Sequence, residues 1–286
     1  MATLIDELQI VADEGKLNGL RADVIRIKLK EKLQLYVLDF IYNSPKYNHL
    51  ILYGGTCLRR CFNASRMSED IDCETNRKFE KEKLAADLKK HFSKKVMYDD
   101  LAVYVPGRNI SRVELRFPVL NRIGLSLHAA EKLNLKVEVN VIDREYSTEL
   151  RTISEDRFSF VVRHYDLPTL MAGKMVACLE RVWEKGKTGI TIKGRDYFDL
   201  IWYMQRQIMP NIKRLADAKG KYTVESAFKK LAANISKITS RALLVDLEPL
   251  FEDSGFVNTW VSNFHDEFYR LLKNYIEIIP DNPDVA

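Results

Sequence analysis

The chain has 286 residues, of which 46% are hydrophobic and 30% are charged, and 45 basic against 40 acidic residues give a formal net charge of +5. This composition excludes a disordered polyelectrolyte, which combines low hydrophobicity with high net charge, and the length allows one large domain or two. No apolar run approaches the roughly 20 residues that span a bilayer, and the acidic N-terminal segment lacks the order of a signal peptide. With four cysteines in all, we expect a cytoplasmic protein with reduced thiols and no membrane contact.

Hydrophobic spacing predicts the elements of the first half. Apolar residues at every fourth position predict an amphipathic helix from Ala22 to Tyr42. Residues 133–142 alternate between apolar and polar side chains, which predicts a strand with one buried face. The other predicted elements are a strand at 49–53, a helix at 56–62, a strand at 71–74, a helix at 79–92 and a hairpin from 96 to 117.

After residue 165 the pattern becomes helical. Asp166 is placed to cap a helix that Pro168 helps to start, and a glycine-containing loop at 187–194 leads to a second helix, RDYFDLIWYMQRQI. We therefore expect two domains, 1–165 and 166–286, in an α+β or α/β fold whose first half holds a mixed sheet and whose second half is helical.

The strongest local signal begins with Gly54-Gly55-Thr56, directly after a predicted strand. Two glycines let the backbone approach a phosphate closely, and the N-terminus of the following helix directs N–H groups and a positive dipole toward that phosphate. The Thr56 hydroxyl and the Arg59 side chain, one turn into the helix, can add contacts to the same anion.

The second half of the signal, Asp70-Ile71-Asp72, follows after thirteen residues. On a strand the two aspartates share one face, and Mg²⁺ favours one or two carboxylates together with phosphate oxygens. Alone, the glycine pair would be an ordinary turn and the aspartate pair a solvated strand edge. Their order, with strand, turn and helix before a second strand, favours a metal-dependent nucleoside triphosphate (NTP) site.

The segments LYGGTCLRR and RMSEDIDCE resemble the opening motifs of the AbiEii/AbiGii-type toxin nucleotidyltransferases, which belong to the DNA polymerase β-like nucleotidyltransferase superfamily. The family's later motifs are matched by Lys174 in LMAGKMVACLER and by the segment RDYFDL, so the resemblance covers roughly residues 48–203. It implies a nucleotidyltransferase-type mixed sheet in the N-terminal half and a helical C-terminal half that completes the active-site cleft.

The resemblance also implies nucleotidyl transfer from an NTP by the two-metal route, with Mg²⁺ or Mn²⁺ held by Asp70, Asp72 and a third carboxylate. Glu138, on the polar face of LKVEVNV, is the first candidate for that carboxylate, although the superfamily more often has aspartate there. Glu114 in RVELRF is the competitor, and Glu138 would otherwise pair with a basic residue across the sheet. The nucleotide-binding residues implied are Gly54, Gly55, Thr56, Arg59, Ser68 and Lys174.

Lys174 lies in an apolar stripe of its predicted helix. A stem packed in the core with the ammonium at the rim would explain it structurally, whereas the resemblance implies contact with the triphosphate. Asp196 is a helix-start acid that could simply pair with Arg195. The resemblance makes Asp196 a catalytic residue, which orients Lys174 or the acceptor, and Asp199 lies one turn further on the same face.

The family implies the toxin of a bacterial toxin–antitoxin or phage-defence pair, with tRNA as acceptor and a separately encoded antitoxin. A nucleotidyltransferase that modifies a protein or a small molecule such as an antibiotic is the alternative, and a non-catalytic nucleotide-binding module is another. Residues 206–241 hold nine basic and two acidic side chains, which is typical of a nucleic-acid surface or of a solvated face.

Two cysteines, Cys57 and Cys61, are spaced to lie on one face of a helix. No further Cys or His pair completes four ligands, and the five histidines are scattered along the chain. We therefore expect structural cysteines rather than a zinc site.

Overall fold

The structure is a computed structural model that describes residues 2–107, 111–181 and 192–278. Contacts between residues divide the chain into two compact units, Met1–Tyr165 and Asp166–Ala286. The first contains the sheet and the second is helical throughout its described residues. In the described parts of both units, no helix combines the length and apolar character needed to cross a bilayer.

The strands of the first unit are β1 (Ile51–Tyr53), β2 (Ile71–Thr75), β3 (Ala102–Tyr104), β4 (Arg112–Phe117), β5 (Leu133–Val141), β6 (Thr148–Glu155) and β7 (Phe158–Tyr165). They form one mixed sheet of seven strands in the order β3-β4-β5-β2-β1-β7-β6. Strand β2 pairs antiparallel with β1 on one side and parallel with β5 on the other. Strand β1 in turn pairs parallel with β7.

Alternation along β5 separates a core face of the sheet from a polar face. Leu135, Val137 and Val139 are buried, while Lys136 and Glu138 are half-buried on the opposite face. The strand predicted at 133–142 is thus confirmed as Leu133–Val141. The predicted hairpin is confirmed as the antiparallel pair β3 and β4, although β3 has only three residues, and residues 108–110 lie outside the described part of the chain.

The described helices of the first unit are α1 (Leu4–Leu17), α2 (Ala22–Tyr42), α3 (Gly54–Phe62) and α4 (Lys81–Lys94). Helix α2 packs against α1, α4, β5 and β7, and α4 packs against β3 and β4. The bounds predicted for α2 are confirmed, but its amphipathic character is wrong. Because neighbours enclose α2 on several sides, even its polar residues Glu31 and Gln34 are buried.

The second unit is built from helices that succeed one another from residue 167 onward. Asp166 caps the first of them, since its Oδ1 accepts a hydrogen bond of 2.9 Å from the Thr169 backbone N–H, and Pro168 lies in the first turn, as predicted. Residues 182–191 lie outside the described part, and with them most of the predicted loop at 187–194. The described helices are α5 (Leu167–Glu180), α6 (Gly194–Gln205), α7 (Ile212–Ala216), α8 (Val224–Ile235), α9 (Ser240–Leu247) and α10 (Ser254–Ile278).

Helix α6 is the centre of the second unit. It packs against α5, α9 and α10, and nearly all of its side chains are buried. The buried set includes the two aspartates of RDYFDL as well as the apolar residues. Two carboxylates inside a helical core require partners, which are described below.

Candidate functional site

The glycine turn links β1 directly to α3, and both glycines are required by what lies against them. Gly54 has a φ of +73°, and a Cβ there would lie 2.8 Å from the Asp72 Oδ2 atom. A Cβ on Gly55 would lie 2.5 Å from the Arg66 Nη2 atom and 2.8 Å from the Ser68 Oγ atom. The two motifs of the sequence are therefore in direct contact, and a larger residue at either glycine would separate them.

Helix α3 begins at this turn with its first N–H groups available to a ligand. Tyr53 is the N-cap residue in an extended conformation, and in the described part of the chain its side chain makes no capping hydrogen bond. The free N–H groups of a first turn and the positive end of the helix dipole attract anions. This geometry suits the phosphate that the sequence motif predicts.

The hydroxyls of Thr56 and Ser68 lie beneath the turn. Thr56 is fully buried; its hydroxyl donates to the Asp70 carbonyl oxygen and shares a hydrogen bond of 2.9 Å with the Ser68 hydroxyl. Both side chains are thus committed to holding the turn against the segment that leads into β2. The resemblance assigns both residues to the nucleotide, and their geometry gives them a positioning role.

Glu31, a residue that sequence reasoning missed, organises this region from α2. Its Oε1 atom accepts from the Arg59 Nε atom and from the Ser68 backbone N–H, each at 3.1 Å. Arg59, which the resemblance assigns to the nucleotide, is therefore bound within the unit, and its Nη1 atom also donates to the Ala64 carbonyl oxygen. The sequence KEK around Glu31 is indistinguishable from a solvated helix face, so nothing marks it out.

Arg66 is the second residue that was missed. It is only 3% exposed, its Nη1 atom donates to the Met67 carbonyl oxygen, and its guanidinium lies beside Gly55. A buried cation beneath the turn raises the positive potential at the N-terminus of α3. Its place inside RMSEDIDCE, next to the aspartate motif, is the signal that could have identified it.

The pairing of β2 with β5 places Asp72 opposite Glu138 on the polar face. Neighbouring strands lie about 4.8 Å apart, so these two carboxylates are adjacent. The Asn140 Nδ2 atom donates to the Glu138 Oε1 atom at 3.3 Å and to the Tyr53 hydroxyl at 3.0 Å. The amide thereby orients Glu138 and connects it to the end of β1.

Glu114, the competing candidate, is occupied by cations. Its carboxylate lies 2.8 Å from the Arg116 Nη2 atom and 3.4 Å from the Arg112 Nη2 atom. Strand β5 also lies between β4 and β2 in the sheet, so Glu114 is two strands away from Asp72. The geometry therefore favours Glu138 over Glu114 as the partner of Asp72.

Asp70 directly precedes β2 and lies beside Lys136 of β5. The Lys136 backbone N–H donates to its Oδ1 atom at 3.4 Å, and the Lys136 Nζ atom lies 3.8 Å from its Oδ2 atom. In residues 2–107, 111–181 and 192–278, no group of three or more His, Cys, Asp or Glu side chains is arranged to hold a metal ion. The donors Asp72 and Glu138 are hard carboxylate oxygens, which fit Mg²⁺ or Mn²⁺ in a shell that triphosphate oxygens complete.

In the second unit, Lys174 is held between the two aspartates of α6. Its Nζ atom lies 2.8 Å from the Asp196 Oδ1 atom and 2.8 Å from the Asp199 Oδ2 atom. The Arg181 Nη1 atom lies 2.9 Å from the other Asp196 oxygen. The positive charge of Arg195 also lowers the Asp196 pKa, after the larger effects of Lys174 and Arg181. The Arg195 backbone N–H donates to Asp246 at 3.0 Å, and its Nε atom lies 4.0 Å from the same carboxylate.

This cluster keeps Asp196 ionised. Burial opposes ionisation of its carboxyl group, but the charges of Lys174 and Arg181 outweigh burial and hold its pKa at about 2. Lys174 therefore does not extend to the rim of the core but is an internal ion-pair partner.

Lys193 directly precedes α6. Burial and the charges of Arg195 and Arg181 lower its pKa.

The cysteines of the first unit are buried side chains of α3 and β2. Cys57, Cys61 and Cys73 are all free thiols without contact to solvent. Burial raises the pKa of both Cys57 and Cys73. Cys57 and Cys73 are therefore packed in the core in their protonated form.

The basic segment 206–241 runs from the end of α6 through α7 and α8 to the start of α9. Of its nine basic side chains, all except Arg214 are exposed. Arg206 is engaged with an aromatic ring, since its guanidinium lies 3.7 Å from the centre of Trp202. The remaining exposed charges form the surface considered below.

We expect Gly54→Ala to destabilise the protein. Alanine in the left-handed region costs about 1 kcal/mol, and the added methyl group displaces the Asp72 carboxylate, so the free energy of unfolding should fall by about 1–3 kcal/mol. Gly107→Ala is the matched control, because a Cβ there meets nothing within 4 Å. Urea unfolding of both variants measures the difference, and equal stability would contradict the close approach of Asp72.

We also expect Lys174→Met to lower the free energy of unfolding at pH 7 by about 3 kcal/mol or more, because it leaves two buried carboxylates without their ammonium partner. In the wild type the Asp196 pKa of about 2 lies below the ordinary 3.8, so its contribution is present above pH 3.8 and is lost as the pH falls through 2. Without Lys174, burial dominates and raises the Asp196 pKa, so the deficit should shrink between pH 7 and pH 5.

Two further variants control this measurement. Lys174→Arg keeps the charge and should retain most of the stability, whereas Lys229→Met removes an exposed lysine of α8 and should be neutral. A Lys174→Met variant as stable as the wild type at both pH values would show that the ion pairs do not hold the second unit together.

Comparison with known proteins follows the same motifs. The model of the family described as nucleotidyl transferase AbiEii toxin, type IV TA system, matches residues 37–255, which include both motifs of the first unit, Lys174 and RDYFDL. No curated protein matches the sequence significantly.

Two solved structures share the fold. JHP933 from Helicobacter pylori has a TM-score of 0.55 and 17% identity, with 88% of this chain and 94% of that chain covered. A second H. pylori protein, provisionally assigned as a nucleotidyltransferase, has a TM-score of 0.54 and 17% identity, with 88% and 96% covered. At this identity the likeness shows the fold alone.

Proposed function

The chain belongs to the AbiEii toxin family of nucleotidyltransferases, and we propose that it uses a divalent metal to transfer a nucleoside monophosphate from an NTP to a hydroxyl of tRNA. As a member of a type IV toxin–antitoxin family, it is a nucleotidyltransferase with an NTP as substrate and an antitoxin as partner. The observation that carries the metal-dependent mechanism is the adjacent pair Asp72 and Glu138 beside the glycine turn at the N-terminus of α3.

The glycine turn is proposed to bind the triphosphate. The absence of side chains at Gly54 and Gly55 allows phosphate oxygens to reach the N–H groups of the first turn of α3. The buried guanidinium of Arg66 adds positive charge from below. Because the Asp72 carboxylate lies against Gly54, a phosphate on this turn is next to the carboxylate pair.

Asp70, Asp72 and Glu138 are the proposed metal and catalytic carboxylates. A bound Mg²⁺ supplies neutralisation of the triphosphate charge, which is several kcal/mol of transition-state stabilisation. The acceptor hydroxyl oxygen attacks the α-phosphorus, the bond to pyrophosphate breaks, and Glu138 is placed by Asn140 to take the hydroxyl proton. Asp70 holds its orientation through Lys136 until the ligand binds.

Lys174 and Asp196 are proposed as further catalytic residues on the family resemblance. The geometry that supports this role is the double ion pair, which fixes the Lys174 ammonium between Asp196 and Asp199. A lysine held in this way has its side chain already ordered, so little further side-chain entropy is lost when it binds a phosphate. In this scheme Asp199 is a positioning residue.

Transfer to tRNA, a role in phage defence and a cytoplasmic location complete the proposal. The exposed basic side chains of 206–241 support a nucleic acid as acceptor, because phosphate contacts dominate the affinity of such complexes. A protein or small-molecule acceptor would need no such surface. Incubation with each labelled NTP and purified tRNA, total protein or an antibiotic panel distinguishes these acceptors.

We expect Glu138→Gln to reduce transfer at least 100-fold, because it removes a charged oxygen ligand and the proton acceptor. Removal of the repulsion with Asp72 should leave the melting temperature unchanged or raise it. Glu114→Gln is the matched control on the next strand and should retain activity within a fewfold range. A loss of activity in Glu114→Gln with Glu138→Gln active would reverse the assignment.

Charge reversal of Lys213, Lys229 and Lys237 to Glu should weaken binding of tRNA and flatten its salt dependence, with a loss in log–log slope of about 0.7–0.9 per phosphate contact. The affinity for NTP should stay nearly the same, because these side chains are outside the proposed triphosphate site. Fluorescence anisotropy with labelled tRNA at several salt concentrations measures the effect.

The control for this variant reverses Lys89, Lys90 and Lys94, three exposed lysines of α4. It makes the same change in net charge on a helix that packs against β3 and β4. Equal tRNA affinity and equal salt slope in the two triple variants would exclude the segment 206–241 as an acceptor surface.

A further inference from the structure

The first unit contains a second charged site, a cavity of about 600 Å³ near the N-terminal end of β1. We name it the basic pocket. The lining residues that matter here are His49, Arg77, Arg144, Glu145, Tyr146 and Arg163. Three arginines against one glutamate give these residues a formal charge of +2 with the histidine neutral. None of them belongs to the proposed triphosphate site.

Two of the arginines carry charges that no carboxylate of the described residues neutralises by an ion pair. Among the described residues, neither Arg77 nor Arg163 forms an ion pair, and Arg163 reaches the Thr148 hydroxyl at 3.4 Å. Elsewhere in the same unit Arg59 pairs with Glu31 and Arg60 with Glu155. The basic pocket therefore has guanidinium groups available to an anion.

The remaining polar groups of the pocket are already partly occupied. Arg144 lies 3.7 Å from Asp143, and the Glu145 carboxylate accepts from the Asn76 amide at 2.6 Å. Glu145 is thus held by its neighbour and does not neutralise Arg77 or Arg163. Arg77 and Arg163 are therefore the arginines of the pocket that remain available to bind an anion.

Both unpaired arginines affect the pKa of His49, which lines the same pocket. Burial, followed by the charges of Arg77 and Arg163, lowers the pKa of His49. Both guanidinium groups line the same cavity as His49 and add positive potential there, which attracts a phosphate. Planar guanidinium groups bind phosphate oxygens in a bidentate geometry.

The sheet register places the basic pocket on the same face as the carboxylates. Tyr53 pairs with Asp72, and Leu52 pairs with His164, so Arg163 lies beside Ile51. Two residues along a strand and two strands across give a separation of about 12 Å between the backbones of Asp72 and Arg163. A short stretch of nucleic-acid backbone spans this distance.

We propose that the basic pocket binds a backbone phosphate of the acceptor RNA, a short distance upstream of the hydroxyl that reacts beside Asp72. This inference rests on the proposed function, because it assumes that the acceptor is a nucleic acid. Tyr146, which is held against Tyr165 with ring centres 6.0 Å apart, places an aromatic ring at the same cavity. RNA-binding sites use such rings to stack unpaired bases.

The test is the double variant Arg77→Gln and Arg163→Gln, with labelled tRNA as the probe. We expect its Kd to rise about tenfold at 0.1 M salt, and the magnitude of the log–log salt slope to fall by about 0.7, since one phosphate contact on a single strand contributes about 0.7. The Kd for NTP should change less than twofold. Transfer to tRNA should fall at subsaturating tRNA and recover when the tRNA concentration is raised.

The matched control is Lys89→Gln with Lys90→Gln, which removes the same charge from exposed positions of α4. This helix packs on the core face of the sheet through contacts such as Phe92 with Phe117, so its exposed side is remote from the polar face. Arg77→Gln alone is the second variant, because Arg77 is exposed and lies outside the strands. It should raise the Kd for tRNA and lower the slope by up to about 0.7, and this variant keeps the test valid even if the Arg163 change impairs folding.

The outcomes separate the inference from the proposed function. Equal tRNA binding in the arginine double variant and the lysine control overturns the basic pocket, while continued labelling of tRNA leaves the proposed function intact. Weaker NTP binding with unchanged tRNA binding assigns the pocket to the nucleotide and also overturns the inference. If the wild-type protein neither binds nor labels tRNA, both the inference about the basic pocket and the proposed transfer to tRNA are overturned.

Discussion

The buried carboxylate of Glu31 is the interaction on which the candidate site depends. A charge inside the first unit is tolerated only because Arg59 and the Ser68 backbone N–H bind it directly. The Ser68 hydroxyl in turn is hydrogen-bonded to the Thr56 hydroxyl, so α2, the glycine turn and the approach to β2 form one connected network. In a region of low dielectric such charged hydrogen bonds are strong, and partial loss of the network is costly. The turn is therefore organised before any ligand is present.

Periodicity and turn chemistry made much of the fold predictable. The bounds of α2, the alternation of β5 and the cap at Asp166 all follow from local sequence. The hairpin of β6 and β7 was missed because nearly all of β6 is exposed, and no buried face imposes a pattern. Glu31 was missed for a different reason, since its partner Ser68 is 37 residues away and only the tertiary fold brings them together.

The ion-pair cluster in the second unit explains why Lys174 lies in an apolar stripe of its helix. Sequence reasoning identified Lys174 as out of place in an apolar stripe, and the spacing of Asp196 and Asp199 placed both on one helix face. The fold joins these three observations into a single ion-pair cluster, and Arg181 brings its net charge to zero. A neutral, fully paired cluster is a form in which charged groups are accepted by a helical core. The remaining member, Arg181, follows from packing and not from any motif.

The reaction of the buried cysteines near the glycine turn with a thiol reagent can measure local opening of the first unit. Cys57 and Cys61 lie in α3, which begins at the glycine turn. Cys73 lies in β2, next to Asp72. Alkylation needs an accessible thiolate; burial removes access to all three thiols and also raises the pKa of Cys57 and Cys73. The rate at which a thiol reagent modifies them therefore reports local opening of this region. A ligand that binds at the turn and stabilises it should slow that rate, so its binding can be followed by mass spectrometry without any knowledge of the acceptor.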